Sequence, residues 1–306
     1  MGQLAGKVAV VTGGTRGLGL GIARAFLDEG ARVMIASRSQ ASVDRALGEF
    51  DDRTRVDGMA CDVAQASDVR ALAERAVASF SRVDIWVNSA GLSAPYGPTV
   101  DSPDEAYRAV LQTNIMGTYN GSRIAIEYFL RQGGGKLINL LGRGDKEPVP
   151  FQSAYASSKT WVRAFTRALA QEYKSSGIGV FAVNPGLVLT DMITKVEAIA
   201  GYEERMKPFE TITRMWGKPP AVPAARVVRL ASSATDGKTG IEVQVLGFGI
   251  IIGGAVRELF RRMGGSKRRG GESGEGLKIA TVDPAFDHTS TLNTRAEATQ
   301  QESHHK

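Results

Sequence analysis

The sequence predicts a single α/β domain built on a doubly wound, seven-stranded parallel sheet, and three observations carry that expectation. Short apolar runs rich in β-branched residues alternate with longer segments of helical periodicity. Several runs, Val8-Ala-Val-Val11 and Val180-Phe-Ala-Val183 among them, are continuously apolar, as strands buried on both faces must be. A glycine-rich stretch, Thr12-Gly-Gly-Thr-Arg-Gly-Leu-Gly19, follows the first run and opens the first helical pattern.

In chain order the strands fall at Val8 to Val11, Val33 to Ala36, Val56 to Cys61, Asp84 to Asn88, Lys136 to Leu141, Gly179 to Asn184 and Ile241 to Leu246. The first helix runs from the glycine-rich turn to Asp28-Glu29-Gly30, where a glycine suits a helix stop. A later helix begins near Ser153. Between the sixth and seventh strands, Asp191 to Pro223 is a long segment of the kind that covers a substrate. Its Met192, Tyr202, Phe209, Met215 and Trp216 either line an apolar pocket with Leu92, Tyr96 and Phe151 or pack the lid against the domain. The domain therefore spans residues 1–247, with its lid at about 191–223.

Val245 to Val256 is almost uncharged and leads into Arg257-Glu-Leu-Phe-Arg-Arg-Met263, with Val256, Leu259, Phe260 and Met263 at helical spacing. Residues 248–263 read as an amphipathic helix, too short to span a bilayer. It could touch an anionic membrane surface, although that is the less favoured use. Residues 264–306 are glycine-rich, charged and aperiodic, and are expected to form a mostly disordered tail.

Composition removes several function classes. With 306 residues and 42% hydrophobic side chains the chain can bury a substantial core. Cys61 is its only cysteine, which excludes a disulfide or a cysteine zinc site within one chain and fits a reducing compartment. His288, His304 and His305 all lie near the end, so no histidine serves as base or metal ligand upstream, and no metal is expected. The formal net charge of +6 is scattered rather than gathered, which argues against nucleic acid. The first residues carry no signal-peptide pattern, so the expected location is cytoplasmic.

Tyr155 and Lys159 stand one helical turn apart in Ser153-Ala-Tyr-Ala-Ser-Ser-Lys159. A phenol with a pKa of about 10 is a poor proton shuttle at neutral pH, but an ammonium on the same helix face favours the phenolate. Alone, such a pair is also an ordinary helix surface. In the glycine-rich turn, Gly13, Thr15, Arg16, Gly17, Leu18 and Gly19 offer backbone N–H groups and a helix N-terminus to a pyrophosphate. The second strand ends in Ser37-Arg38 where an NAD site carries an acid for the ribose hydroxyl. Arg38 and Arg16 would instead meet a 2′-phosphate, which favours NADP over NAD; the bland alternative is two solvated arginines.

With Thr12 to Gly19, Asp62, Asn88-Ser-Ala-Gly91, Asn114, Tyr155/Lys159 and Asn184-Pro-Gly186 in that order, the chain resembles the short-chain dehydrogenase/reductase family over roughly residues 4 to 247. The resemblance implies a Rossmann-like fold and hydride transfer between a nicotinamide and a small-molecule carbonyl or alcohol, and the aromatic and methionine side chains of the lid point to a moderately large, apolar one. It implies that Tyr155 is the general acid/base, that Lys159 lowers the tyrosine pKa and binds the nicotinamide ribose, and that Asn114 anchors a water leading to the lysine. Asp62, with Val63 beside it, looks like the adenine contact, and Asn88 like the residue that steadies the central strand. Ala90 and Gly91 would pass close to the ribose, Pro185 and Gly186 against the nicotinamide, and Thr190 would hold its carboxamide. Asp62 could instead cap the next helix, and Asn114 could satisfy local backbone. The family's habits also imply a homotetramer or homodimer, with the 248–263 helix packing on a sister subunit.

One departure stands out. The family keeps a serine thirteen residues before the tyrosine, and here that position is Gly142, with no Ser or Thr between Lys136 and Gln152. Ser153 is the nearest hydroxyl, and it either caps its helix or turns toward the substrate oxygen. Losing one such donor commonly costs about 10² to 10³ in rate, which weakens the chemistry without abolishing it. The expectation is an NADP-dependent oxidoreductase with an altered oxyanion contact; the alternative is a weak or inactive NADP-binding regulator or scaffold.

Overall fold

A computed structural model describes residues 2–246 and 277–286. The amphipathic segment expected at 248–263 lies outside the described residues, as does most of the tail. The strands are β1 (Val8–Thr12), β2 (Arg32–Ser37), β3 (Val56–Ala60), β4 (Ile85–Asn88), β5 (Gly135–Leu140), β6 (Ile178–Asn184), β7 (Lys195–Ile199), β8 (Glu242–Gln244) and β9 (Lys278–Val282). The helices are α1 (Gly17–Asp28), α2 (Gln40–Gly48), α3 (Ala66–Phe80), α4 (Asp104–Val110), α5 (Gly117–Gln132), α6 (Ser153–Glu172), α7 (Asp191–Thr194), α8 (Lys207–Trp216) and α9 (Ala221–Ala231).

Seven strands form one parallel sheet in the order β3-β2-β1-β4-β5-β6-β8, doubly wound about β1 and β4. Alternate residues serve opposite layers because successive side chains on a strand point to opposite faces. Ala9 and Val11 meet Ile22 and Phe26 of α1 and Val227 of α9, whereas Val8 and Val10 join Leu72 of α3 and Phe129 of α5. Trp86, Phe26 and Phe129 are fully buried, each worth about 1.5–3 kcal/mol of transfer free energy relative to exposure. Helices covering both faces leave the carboxyl ends of β1, β4, β5 and β6 as the open rim, where a ligand meets this kind of sheet.

The tail corrects an expectation. Lys278–Val282 is not disordered: it pairs in parallel with β7, a strand inside the lid that the sequence pattern did not reveal. Lys-Val-Glu-Ala-Ile and Lys-Ile-Ala-Thr-Val are each too polar to resemble strands of the main sheet, and each finds its partner only across the fold. The seventh strand of the main sheet is also shorter than expected, Glu242–Gln244 rather than Ile241 to Leu246.

Candidate active site

The glycine-rich turn leaves β1 with Gly13 and Gly17 at positive φ, 65° and 54°, a conformation that favours glycine. A Cβ on Gly13 would lie 2.8 Å from Ala90 Cα, and one on Gly19 would overlap the Gly13 carbonyl, so the turn closes tightly onto the end of β4. Thr12 holds the same junction, its hydroxyl accepting the N–H groups of Ser89 (3.1 Å) and Ala90 (3.3 Å). At its N-terminus α1 has neither a side-chain cap nor an acidic residue in its first turn, leaving its first amides open to an anion. Thr190 reaches over the turn: its Cγ2 would be 3.2 Å from a Cβ on Gly17, while its hydroxyl donates to the Val188 carbonyl (3.3 Å). Arg16 and Arg38 are exposed at this rim, and Ser37 donates its hydroxyl to the Ser39 carbonyl (3.2 Å). The tight glycine-rich turn and the uncapped start of α1 fit the phosphates of a dinucleotide.

Just past β3, Asp62 Oδ1 accepts the Ala64 N–H (3.0 Å) in a local turn, whereas the cap position of α3, its anticipated alternative, is held by Gln65. Asn120 pins that turn by donating to the carbonyls of Val63 (2.9 Å) and Ala64 (3.1 Å), a contribution that no motif announces. Asn88 is buried and fully engaged: it accepts the Trp86 indole N–H (2.9 Å) and donates to Asn139 Oδ1 (2.8 Å) and Ser122 Oγ (3.1 Å). Asn139 in turn donates to Thr166 Oγ1 (2.9 Å), so one polar chain runs from β4 through β5 to α6. A Cβ on Gly121 would overlap Asn88 Oδ1, and that glycine is what lets α5 approach.

Asn114 sits in a wide helical turn, Leu111–Met116, with i to i+5 spacing between α4 and α5. Fully buried, it exchanges hydrogen bonds with the Leu92 backbone (2.8 and 3.0 Å) and donates to Ser158 Oγ (3.0 Å). It thus satisfies local backbone and also locks α6 to the end of β4. Gly91 lies between: a Cβ there would be 3.6 Å from Asn114 Oδ1 and 3.8 Å from Lys159 Nζ.

Lys159 is buried, with its ammonium donating to the Leu140 carbonyl (3.1 Å) and lying 5.6 Å from the centre of the Tyr155 ring. Burial pulls its pKa down to about 8. Tyr155 departs from expectation. Burial first, and then the negative charge of Asp145, push the phenol up to about 12, so it is held protonated rather than primed as a phenolate.

Gly142 marks a further difference. A Cβ at this position would overlap the Tyr155 hydroxyl and lie 3.1 Å from its Cζ. The tyrosine therefore occupies the space the serine side chain would need. Ser153 does not cap α6, where Gln152 stands at the cap; its hydroxyl pairs with that of Thr99 (2.9 Å). Behind Gly142, Asn184 donates to the Gly142 carbonyl and to Asp145 Oδ1 (both 3.1 Å), and accepts the Gly186 N–H (3.0 Å), with Gly186 at φ 70°. Asn184 thereby couples the turn after β6 to the Gly142 loop. Its motif was visible in the sequence, but nothing there signalled Asp145.

Of the expected pocket residues, Tyr96, Phe151 and Tyr202 form one aromatic cluster, with centroids 5.5 Å apart on either side of Phe151 and the Arg205 guanidinium 5.0 Å from the Phe151 ring. Met192 is exposed instead. Among the described residues no group of three or more His, Cys, Asp or Glu side chains could hold a metal, and no helix is long and apolar enough to cross a membrane.

A doubly wound sheet whose glycine-rich turn, buried lysine and adjacent tyrosine meet at one rim defines a dinucleotide-dependent class of protein. Comparison with known proteins narrows it. The model of the short chain dehydrogenase family matches residues 7–200. The chain is 37% identical over 268 residues to L-fucose dehydrogenase of Oryctolagus cuniculus, covering 86% of this chain and 91% of that one. It is 35% identical over 193 residues to a putative ketoacyl reductase of Streptomyces coelicolor, covering 62% and 74%. Among solved structures, 3-ketoacyl-(acyl-carrier-protein) reductase from Brucella melitensis complexed with NADH superposes with a TM-score of 0.71 at 31% identity, covering 79% of this chain and 97% of that one. The chain belongs to the short chain dehydrogenase family.

Proposed function

We propose that the protein is an NADP-dependent oxidoreductase that interconverts a moderately large, apolar carbonyl and its alcohol, with Tyr155 as the proton-transferring group. One observation carries this reading: Asn114 and Lys159 converge on Gly91 just past the carboxyl end of β4, with the Tyr155 ring 5.6 Å from the Lys159 ammonium, next to a glycine-rich turn that suits a diphosphate. When bound, the nicotinamide supplies or accepts the hydride. Tyr155, protonated well above neutral pH, donates its phenolic proton to the carbonyl oxygen in reduction. Lys159 is positioned for ribose hydroxyls and, as a cation, offsets negative charge developing on the phenol oxygen. Asn114 keeps α6 in register with the rim. The oxyanion donor falls to the Gly142–Gly144 backbone, Arg143, a water or the substrate itself.

Arg16 and Arg38, exposed on the rim, support NADP over NAD. Cytoplasmic residence and a homodimer or homotetramer complete the proposal. The absent hydroxyl at Gly142 is the one feature favouring the rival reading, an NADP-binding regulator without turnover. The deciding experiment screens full-length protein with NADPH against activated ketones and diketones, alongside Tyr155→Phe. Turnover that falls at least ~10²-fold in the variant, with NADPH affinity retained, is expected. Turnover indifferent to the substitution removes Tyr155 from the chemistry, and cofactor binding without turnover favours the rival.

A further inference from the structure

Although β7 belongs to the lid, it is paired along both edges. On one side the Tyr96 N–H donates to the Glu197 carbonyl (2.8 Å) and the Ile199 N–H to the Tyr96 carbonyl (2.9 Å). On the other side lies β9, in register from Lys195↔Lys278 to Ile199↔Val282, and the Ala200 N–H extends the ladder by donating to the Val282 carbonyl (2.9 Å). Two contacts fix this C-terminal segment further. The Thr281 hydroxyl donates to the Glu203 carboxylate (2.9 Å), and the Ala285 N–H donates to the Asp101 carbonyl (3.0 Å).

These contacts converge near Tyr155. Ala198 and Ile199 are fully buried, and a Cβ on Gly97 would lie 2.7 Å from Ile199 Cβ, so lid strand and Tyr96 loop are fitted to each other. Tyr96 stacks toward Phe151, four residues before Tyr155, and the narrow cleft beside them is lined by Pro95, Gly97, Ser102, Phe151, Ser153 and Tyr155. Asp101, whose carbonyl accepts the Ala285 N–H, immediately precedes Ser102. A five-residue strand held only by Tyr96 would open readily, because a short strand pairing is marginal by itself. The second ladder removes that freedom.

We propose that the C-terminal strand is a built-in part of the substrate wall: by holding Lys195–Ile199 and Tyr96 in place beside Tyr155, β9 determines which substrates the site accepts by size. The claim rests on the oxidoreductase reading for its substrates, but not for its structural half. Two substitutions in the full-length protein test it. Ala280→Pro puts a residue without an N–H into the middle of the strand, and Thr281→Ala removes only the bond to Glu203. Each is compared with the unmodified protein by amide exchange over residues 195–199 and Tyr96, by NADPH affinity, and by kcat and KM on a small alkyl ketone and a bulky aryl ketone.

In Ala280→Pro, exchange over 195–199 should quicken by at least ~10-fold, with NADPH affinity kept within about twofold. If the closed lid falls to about a tenth of the population, KM for the ketone that the closed wall favours rises about tenfold, and the ratio of kcat/KM between the two ketones shifts with it. Thr281→Ala should move both readouts the same way by less, and it decides alone if the proline variant does not fold. Unchanged exchange in a folded variant overturns the docking. Faster exchange with an unchanged ketone ratio overturns the selective role, and an unmodified protein that reduces neither ketone removes both the selective role and the function reading while exchange still judges the docking.

Discussion

Tyr155 and Gly142 share one space, and that single fact reverses a simple expectation about restoring the lost hydroxyl. A serine at position 142 would have to displace the phenol, and misplacing a catalytic group by about 1 Å costs on the order of 10²-fold. Gly142→Ser should therefore lower kcat on ketones by roughly that factor, and steady-state kinetics on the folded variant checks it. Lys159 and Tyr155 also leave a signature in stability. The folded protein gives up the Lys159 proton near pH 8, whereas the unfolded chain holds it to 10.5, so between those values the unfolded state binds more protons and stability rises with pH. Tyr155 acts oppositely above its ordinary value of 10, since the folded state keeps that proton to about 12. Urea unfolding should show a gain of about 1.5 kcal/mol from pH 8 to 9.5, absent in Lys159→Met. None of this was legible from spacing alone, because one helical turn says which residues are neighbours but not how deeply both are buried.

Elements were legible where one layer decides their pattern. Parallel strands covered on both faces must be continuously apolar, and the main sheet announces itself in Val8-Ala-Val-Val11 and Val180-Phe-Ala-Val183. By contrast β7 and β9 form the separate two-stranded sheet, with Lys195, Glu197 and Lys278 exposed, and neither carries the apolar run that marks a strand of the main sheet. Asn88 was expected at a strand end, but its reach through Asn139 to Thr166 depends on the parallel register that sets β4 beside β5. Replacing it tests that connection. Asn88→Leu would leave the buried Trp86 indole N–H and the Asn139 amide oxygen without their partner, costing about 2–3 kcal/mol in denaturant unfolding.

At the scale of the whole molecule, cofactor binding should appear as stability, because a ligand that binds only the folded state adds RT ln(1 + [L]/Kd). NADPH at 100 times its Kd should add about 2.7 kcal/mol, and NADH at the same concentration less. Arg38→Ala should weaken NADPH about tenfold or more while changing NADH little, since a charge-assisted hydrogen bond is worth roughly 1.5–3 kcal/mol. Calorimetric melts with each cofactor read both effects, and equal response to the two in the unmodified protein would count against a 2′-phosphate site. The pairing of Lys195 with Lys278 finally has a meaning in time as well as in space. Chains emerge amino end first at roughly 5–20 residues per second, so the main sheet, ending at Gln244, can close seconds before β9 exists. A nascent chain can therefore complete the main sheet while β9 is still unmade, with one edge of β7 left waiting for it.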